Sequence, residues 1–189
     1  MLASSAAVYG SGHSHAISET DALVPYSPYG THKRIAEELF ESYGKNFDLK
    51  VAVVRLFSVY GTELKKQLLW DSCGRLSKDT SHLLLGGTGN GARGWFHISD
   101  AVALLQMAAA HACVDGFVVN GGTGVSISVR QVAEQLCAAW GMNTEVSFSG
   151  KSRAGDPQFF GGECRARDFV WLHAQDKLAS GCGGLCGVV

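Results

Sequence analysis

Tyr29 and Lys33 stand four residues apart in YSPYGTHKRIAEELF, residues 26–40. On a helix such positions are neighbours. A lysine ammonium beside a phenol stabilises the phenolate and lowers its pKa from about 10. Tyr29 is therefore a candidate general base near neutral pH, although the pair alone also fits an amphipathic helix with an exposed lysine. Other groups of residues are weaker. His13, His15, Glu19 and Asp21 carry metal-ligating atoms, but an HSH loop with two acids is ordinarily a solvated turn, and no metal site is expected. GNGARG (89–94) matches the letters GxGxxG. A phosphate-cradling loop must follow a strand and open a helix, whereas WFHI, which follows here, reads as a strand. GGTG (121–124) does sit between strand and helix patterns. It lacks a third glycine, and Glu145 is only a rough stand-in for a ribose-binding acid. Both loops are expected to be turns.

The elements that must hold Tyr29 and Lys33 follow from periodicity. Residues 2–9 are small and apolar, as at the end of a buried strand, and a polar loop follows. A helix is predicted from Pro28 to Asn46, with Ser27 as its cap and Pro28 in its first turn. Ile35, Ala36, Leu39, Phe40 and Tyr43 form its apolar stripe. LKVAVVRLF (49–57) reads as a strand buried on both faces. Further on, a helix over 63–78, strands at 83–85 and 95–98, and a helix over 99–112 opened by Ser99 or Asp100 are predicted. A strand at 117–120, a helix from Ser128 with Gln131 completing a capping box, and a strand at 145–148 follow. Strands alternating with helices predict an α/β fold, a parallel doubly wound sheet with a smaller lobe.

Composition narrows the partners. Lys+Arg 16 against Asp+Glu 17 gives a formal net charge of -1, too balanced to favour nucleic acid or an anionic membrane. The longest apolar segment, AVALLQMAAAHACV, is interrupted by Gln106 and His111 and too short to span a bilayer. The N-terminus lacks the pattern of a signal peptide. Six cysteines without a CxxC pair suit small reduced thiols in a cytoplasmic protein.

Beyond these single features, SSAAVYG (4–10), SPYGTHKRIAEE (27–38), VVRLFSVYG (53–61), GARGWFHISDAVALL (91–105), FVVNGGTGVSISVRQVAEQL (117–136) and RAGD (153–156) follow in a fixed order. This series resembles the extended short-chain dehydrogenases of the NAD-dependent epimerase/dehydratase family, UDP-glucose 4-epimerase included. The resemblance implies the second half of a Rossmann-type sheet in residues 1–61. Residues 62–189 would be mainly a nucleotide-sugar-binding lobe, with elements near 95–120 returning to the sheet. It implies NAD as cofactor, a nucleotide sugar as substrate, and a homodimer whose interface would be incomplete here. Ser5 is implied to hydrogen-bond the reacting sugar hydroxyl. Tyr29 would be the proton acceptor and donor, and Lys33 the residue that holds the nicotinamide ribose. Leu56 and Phe57 match positions passing the nicotinamide. Ser58 replaces an asparagine found in many members and would contact substrate. Arg93, Arg153 and Asp156 match a diphosphate and ribose clamp, a task suited to the planar guanidinium fork.

Departures from the family pattern sharpen the reading. Dehydratases commonly place Asp-Glu after the serine, but this chain has Ala6 and Ala7, so epimerisation is expected over dehydration. Gly94 stands where an acid usually follows the arginine. A GxxGxxG strand-loop unit about a hundred residues ahead of the serine is absent, since Met1 lies four residues before Ser5. The chain is accordingly expected to be a C-terminal portion with poor NAD binding and little turnover alone; the alternative function is a non-catalytic remnant that binds a sugar nucleotide. The tail HAQDKLASGCGGLCGVV does not resemble a family ending. Permissible codons for CGGLCGV read one nucleotide later give VAAYVGW, which implies a frameshift.

Overall fold

The computed structural model describes residues 1–62, 64–141, 143–151 and 159–161. Its first sheet has three parallel strands in the order β1 (Leu2–Ser5), β2 (Ala52–Leu56) and β6 (Phe117–Gly121). Parallel strands covered on both faces need continuous apolar runs, and Ala52, Val53 and Val54 are buried accordingly. Helix α3 (Ile98–Ala110) lays Ala101, Leu104 and Ala108 against Ala52, Val54 and Val119. The register pairs Ser5 with Leu56 and Leu56 with Gly121, so the carboxyl ends of all three strands finish together. In open α/β sheets this end is where ligands bind.

Between β1 and β2 the chain makes a 3-10 turn (Ala6–Tyr9), a polar loop and α1 (Pro28–Phe47). Ser27 caps α1 by accepting the Gly30 N–H at 3.0 Å, with Pro28 in the first turn, as its sequence predicts. The apolar stripe of α1 is a surprise. Ile35, Leu39 and Tyr43 are about half exposed or more, and the buried line is Gly30, Glu37 and Gly44. The reason is steric. A Cβ on Gly30 would lie 2.5 Å from the Ala7 carbonyl oxygen, so the helix seats its glycine face, not its apolar face, on the sheet.

The second region holds a sheet ordered β3 (Ser58–Tyr60), β5 (Ala92–His97) and β7 (Ser126–Ser128), with β9 (Phe159–Phe160) also beside β5. It is mixed, because β7 runs antiparallel to β5. A separate parallel pair joins β4 (His82–Leu85) to β8 (Glu145–Phe148). Helices α2 (Gln67–Leu76) and α4 (Val129–Trp140) enclose an apolar core of Leu69, Leu76, Leu83, Leu136 and their neighbours. Cys73 and Cys137 are free thiols within it, whereas Cys113 is exposed. The Ser128–Gln131 capping box forms as expected.

Several boundaries differ from expectation. Helix α2 is shorter than 63–78, and α3 is capped by His97, whose ring accepts the Ser99 N–H, so WFHI divides between strand and helix. The turn GGTG leads into β7 before α4 begins. Such three-residue strands carry too little periodicity to be read from sequence. The GNGARG match fails as a phosphate loop, since Ala92–Gly94 already belong to β5. Among the described residues no helix is long and apolar enough to cross a membrane.

Candidate active site

Ser5, Tyr29 and Lys33 lie on two adjacent elements, the end of β1 and the first turns of α1. Ser5 ends the strand with extended backbone, and its Oγ accepts the Ala7 N–H at 3.2 Å. That bond leaves the hydroxyl proton of Ser5 free to be given to another acceptor. The first turn of α1 is held against the same 3-10 turn through Gly30. Lys33 reaches from α1 to β1, where Nζ donates to the Ala3 carbonyl oxygen at 2.8 Å. The ammonium lies 6.0 Å from the centroid of the Tyr29 ring, and that ring is 58% exposed. Strand end and helix start thus present a hydroxyl, a phenol and an ammonium on neighbouring elements.

The other predicted residues that the structure describes lie on or beside β2, β3 and β5. Leu56 is half-buried in register with Ser5. Phe57 is buried with Ala6, Val8, Tyr9 and Ile17 beneath the turn, its N–H donating to the Gly121 carbonyl. Ser58 opens β3 opposite Trp95. Arg93 lies half-buried in β5, paired in register with Ile127. Arg153 and Asp156 lie outside the described residues.

Beneath the candidate site lies a polar network that the motif reading missed. Arg55 Nη2 donates to Glu37 Oε2 at 2.8 Å, and Nε also reaches the carboxylate. Ser4 donates its hydroxyl to Glu37 Oε1. Arg55 Nη1 donates to Tyr9 Oη at 2.8 Å and to the Glu19 carbonyl at 3.0 Å. Tyr9 in turn donates to Asn120 Oδ1, whose own amide reaches the Ile17 carbonyl. Glu19 Oε1 accepts the Asn120 N–H, while Glu19 Oε2 is buried without a hydrogen-bond partner. The network joins β1, α1, the loop, β2 and β6.

Burial pushes the Tyr9 phenol above its ordinary range, and the adjacent Arg55 charge only partly offsets this. Burial works against the Arg55 cation too, but hydrogen bonds to Glu37 and the Tyr9 and Glu37 charges hold its pKa above the usual value. One signal for all this stood in the sequence. An arginine in a strand read as buried on both faces demands a buried partner, and Glu37 lies one helical repeat beyond Lys33.

Parallel strands joined through helices define a Rossmann-like α/β protein. A family model, GDP-mannose 4,6 dehydratase, matches residues 1–163. The chain belongs to this family of NAD-dependent epimerases and dehydratases. It is 28% identical to a UDP-glucose 4-epimerase of Azospirillum brasilense, over 94% of this chain and 57% of the relative. A dTDP-D-glucose 4,6-dehydratase of Dictyostelium discoideum is 30% identical over 62% of this chain and 27% of its own length. Among solved structures, a mutant UDP-glucuronic acid 4-epimerase from Bacillus cereus, in complex with UDP-4-deoxy-4-fluoro-glucuronic acid and NAD, is similar with a TM-score of 0.85 and 25% identity. That match covers 98% of this chain and 59% of the epimerase. The chain thus spans little more than half the length of the epimerases it matches.

Proposed function

We propose that this chain carries the proton-transfer half of an NAD-dependent nucleotide-sugar epimerase, with a UDP-sugar as substrate. The observation that carries the reading is the reach of Lys33 from α1 to the Ala3 carbonyl, which fastens the Tyr29 turn to the strand ending in Ser5. Ser5 gives a hydrogen bond to the reacting sugar hydroxyl and orients it toward Tyr29. Tyr29 takes the hydroxyl proton as general base and later returns it. NAD, when bound, supplies the acceptor and donor of the sugar hydride. The donor set fits its nicotinamide-ribose end: the Lys33 ammonium, with two protons left after its bond to Ala3, would hold the ribose, and Leu56 and Phe57 would lie beside it.

In this reading residues 1–61 carry the cofactor end, and 62–189 mainly the substrate lobe. There Ser58 contacts the sugar, and Arg93 binds the diphosphate together with Arg153 and Asp156. The choice of epimerisation over dehydration rests on Ala6 and Ala7, which put no carboxylate in the turn after Ser5. The outer face of α1 supports pairing with a second copy, because Ile35, Leu39, Tyr43 and Phe47 are exposed and the last two rings stack at 5.4 Å. The buried free thiols accord with a reducing, cytoplasmic setting.

The test is a binding and turnover assay of the chain with NAD and a series of UDP-sugars, run beside Tyr29→Phe. Whatever turnover the chain shows should fall about 10²–10⁴-fold in Tyr29→Phe, with UDP-sugar binding retained. Turnover that survives in Tyr29→Phe overturns the assignment of that residue. Binding of UDP without turnover in either protein would leave a sugar-nucleotide binding remnant in place of an enzyme.

A further inference from the structure

We propose that the loop between the 3-10 turn and α1 is a binding site for a divalent transition-metal ion, held by His13, His15 and Asp21. In sequence these residues look like a solvated turn. The fold gathers them, so that one ligand atom from each lies within 4.8 Å of the others. The loop is closed at its base, because Gly10 (φ +84) packs so tightly that a Cβ would stand 2.1 Å from the Val24 carbonyl oxygen. Residues 11–24 therefore leave and return at one point, which limits how far the three side chains can separate.

Two of the three are held by hydrogen bonds to nearby backbone. His13 Nε2 stands 3.2 Å from the Tyr9 carbonyl oxygen. Facing a carbonyl, that nitrogen carries the proton and Nδ1 carries the lone pair. A backbone carbonyl behind the ring is the usual outer support of a metal-bound histidine. Asp21 Oδ2 accepts the Ser18 N–H at 3.1 Å, which fixes the carboxylate. His15 Nε2 is 3.7 Å from the same oxygen, and its side chain is 69% exposed, so it is free to close on an ion. Glu19, the fourth acid of the sequence cluster, is committed to Asn120 instead.

Two imidazoles and a carboxylate suit zinc and its neighbours, with water in the fourth position. Tetrahedral bonds of about 2.0–2.1 Å place ligand atoms roughly 3.3 Å apart, close to the present spread of no more than 4.8 Å. Such an ion would brace the loop that separates Ser5 from Tyr29, with the Tyr9 carbonyl as its anchor. The site is independent of the sugar-nucleotide reading and can be tested without any turnover.

The experiment is titration of the untagged, chelator-stripped chain with Zn²⁺ and with Co²⁺, following heat, thermal stability and the visible cobalt spectrum. The expected result is one equivalent per chain, a rise in Tm, and a cobalt spectrum without thiolate charge-transfer bands. His15→Ala removes an exposed ring and leaves the apo fold unchanged by circular dichroism. That variant and Asp21→Asn should each weaken binding by at least about tenfold, the scale on which even outer-shell changes act. Thiolate bands, unaltered affinity in both variants, or absence of a saturable equivalent would each overturn the site.

Discussion

The two halves of this molecule are built on opposite principles. Under the candidate active site the packing is directional: Glu37, Arg55, Tyr9, Asn120 and Ser4 are bonded into one buried set. Under the second region the core is apolar, with Leu69, Leu76, Leu83, Leu136 and two thiols. An apolar core tolerates small shifts in which side chain meets which, whereas a bidentate ion pair admits one geometry. The part that must hold Ser5, Tyr29 and Lys33 in fixed relation uses the second kind of contact.

The largest expected effect breaks that network. Glu37→Ala leaves Arg55 buried without its partner and should cost about 3–5 kcal/mol, measured by urea unfolding. Glu37→Met combined with Arg55→Met should recover most of that loss, since replacing both partners is often neutral or better. A double variant no more stable than the single one would mean that the network is needed for the fold itself. Leu83→Ala in the apolar core should cost about 2–5 kcal/mol through lost burial and a cavity.

The smallest effect is a pH dependence. The Tyr9 phenol ionises less readily in the fold than in the unfolded chain, so the folded state holds the proton more tightly. Its contribution is complete below about pH 10, the unfolded value, and is lost as pH rises through the higher folded value. Stability should therefore fall more steeply above pH 10 in the natural chain than in Tyr9→Phe. Parallel curves would show that Tyr9 does not supply the difference.

Much of the fold was legible in sequence because helices α1, α3 and α4 and strands β2 and β6 are long enough to declare a period. The Ser27 and Ser128 caps were legible for a similar reason, as the bonds they make are local. What escaped depends on distant partners. The stripe on α1 has helical spacing, yet Gly30 and Gly44 decide which face is buried, through contacts with Ala7 and Val51. Of the candidate site, the Tyr29–Lys33 pair was readable from spacing. Its attachment to β1 was not, since that bond spans thirty positions of sequence. Arg55 announced a buried partner without naming it.

The middle strand of the first sheet has a history as well as a place. β2 ends at Leu56, and β6, which completes its second edge, begins at Phe117. During synthesis at about 5–20 residues per second, the intervening sixty residues take on the order of 3–12 s to leave the ribosome. Throughout that interval β2 has β1 on one side, and its other edge stands open to whatever strand comes near. β3, α2, β4, β5 and α3 all emerge before the correct neighbour does. Nascent chains of this protein are therefore most vulnerable to mispairing while the second region is being made, and a chaperone that shields a strand edge would matter most there.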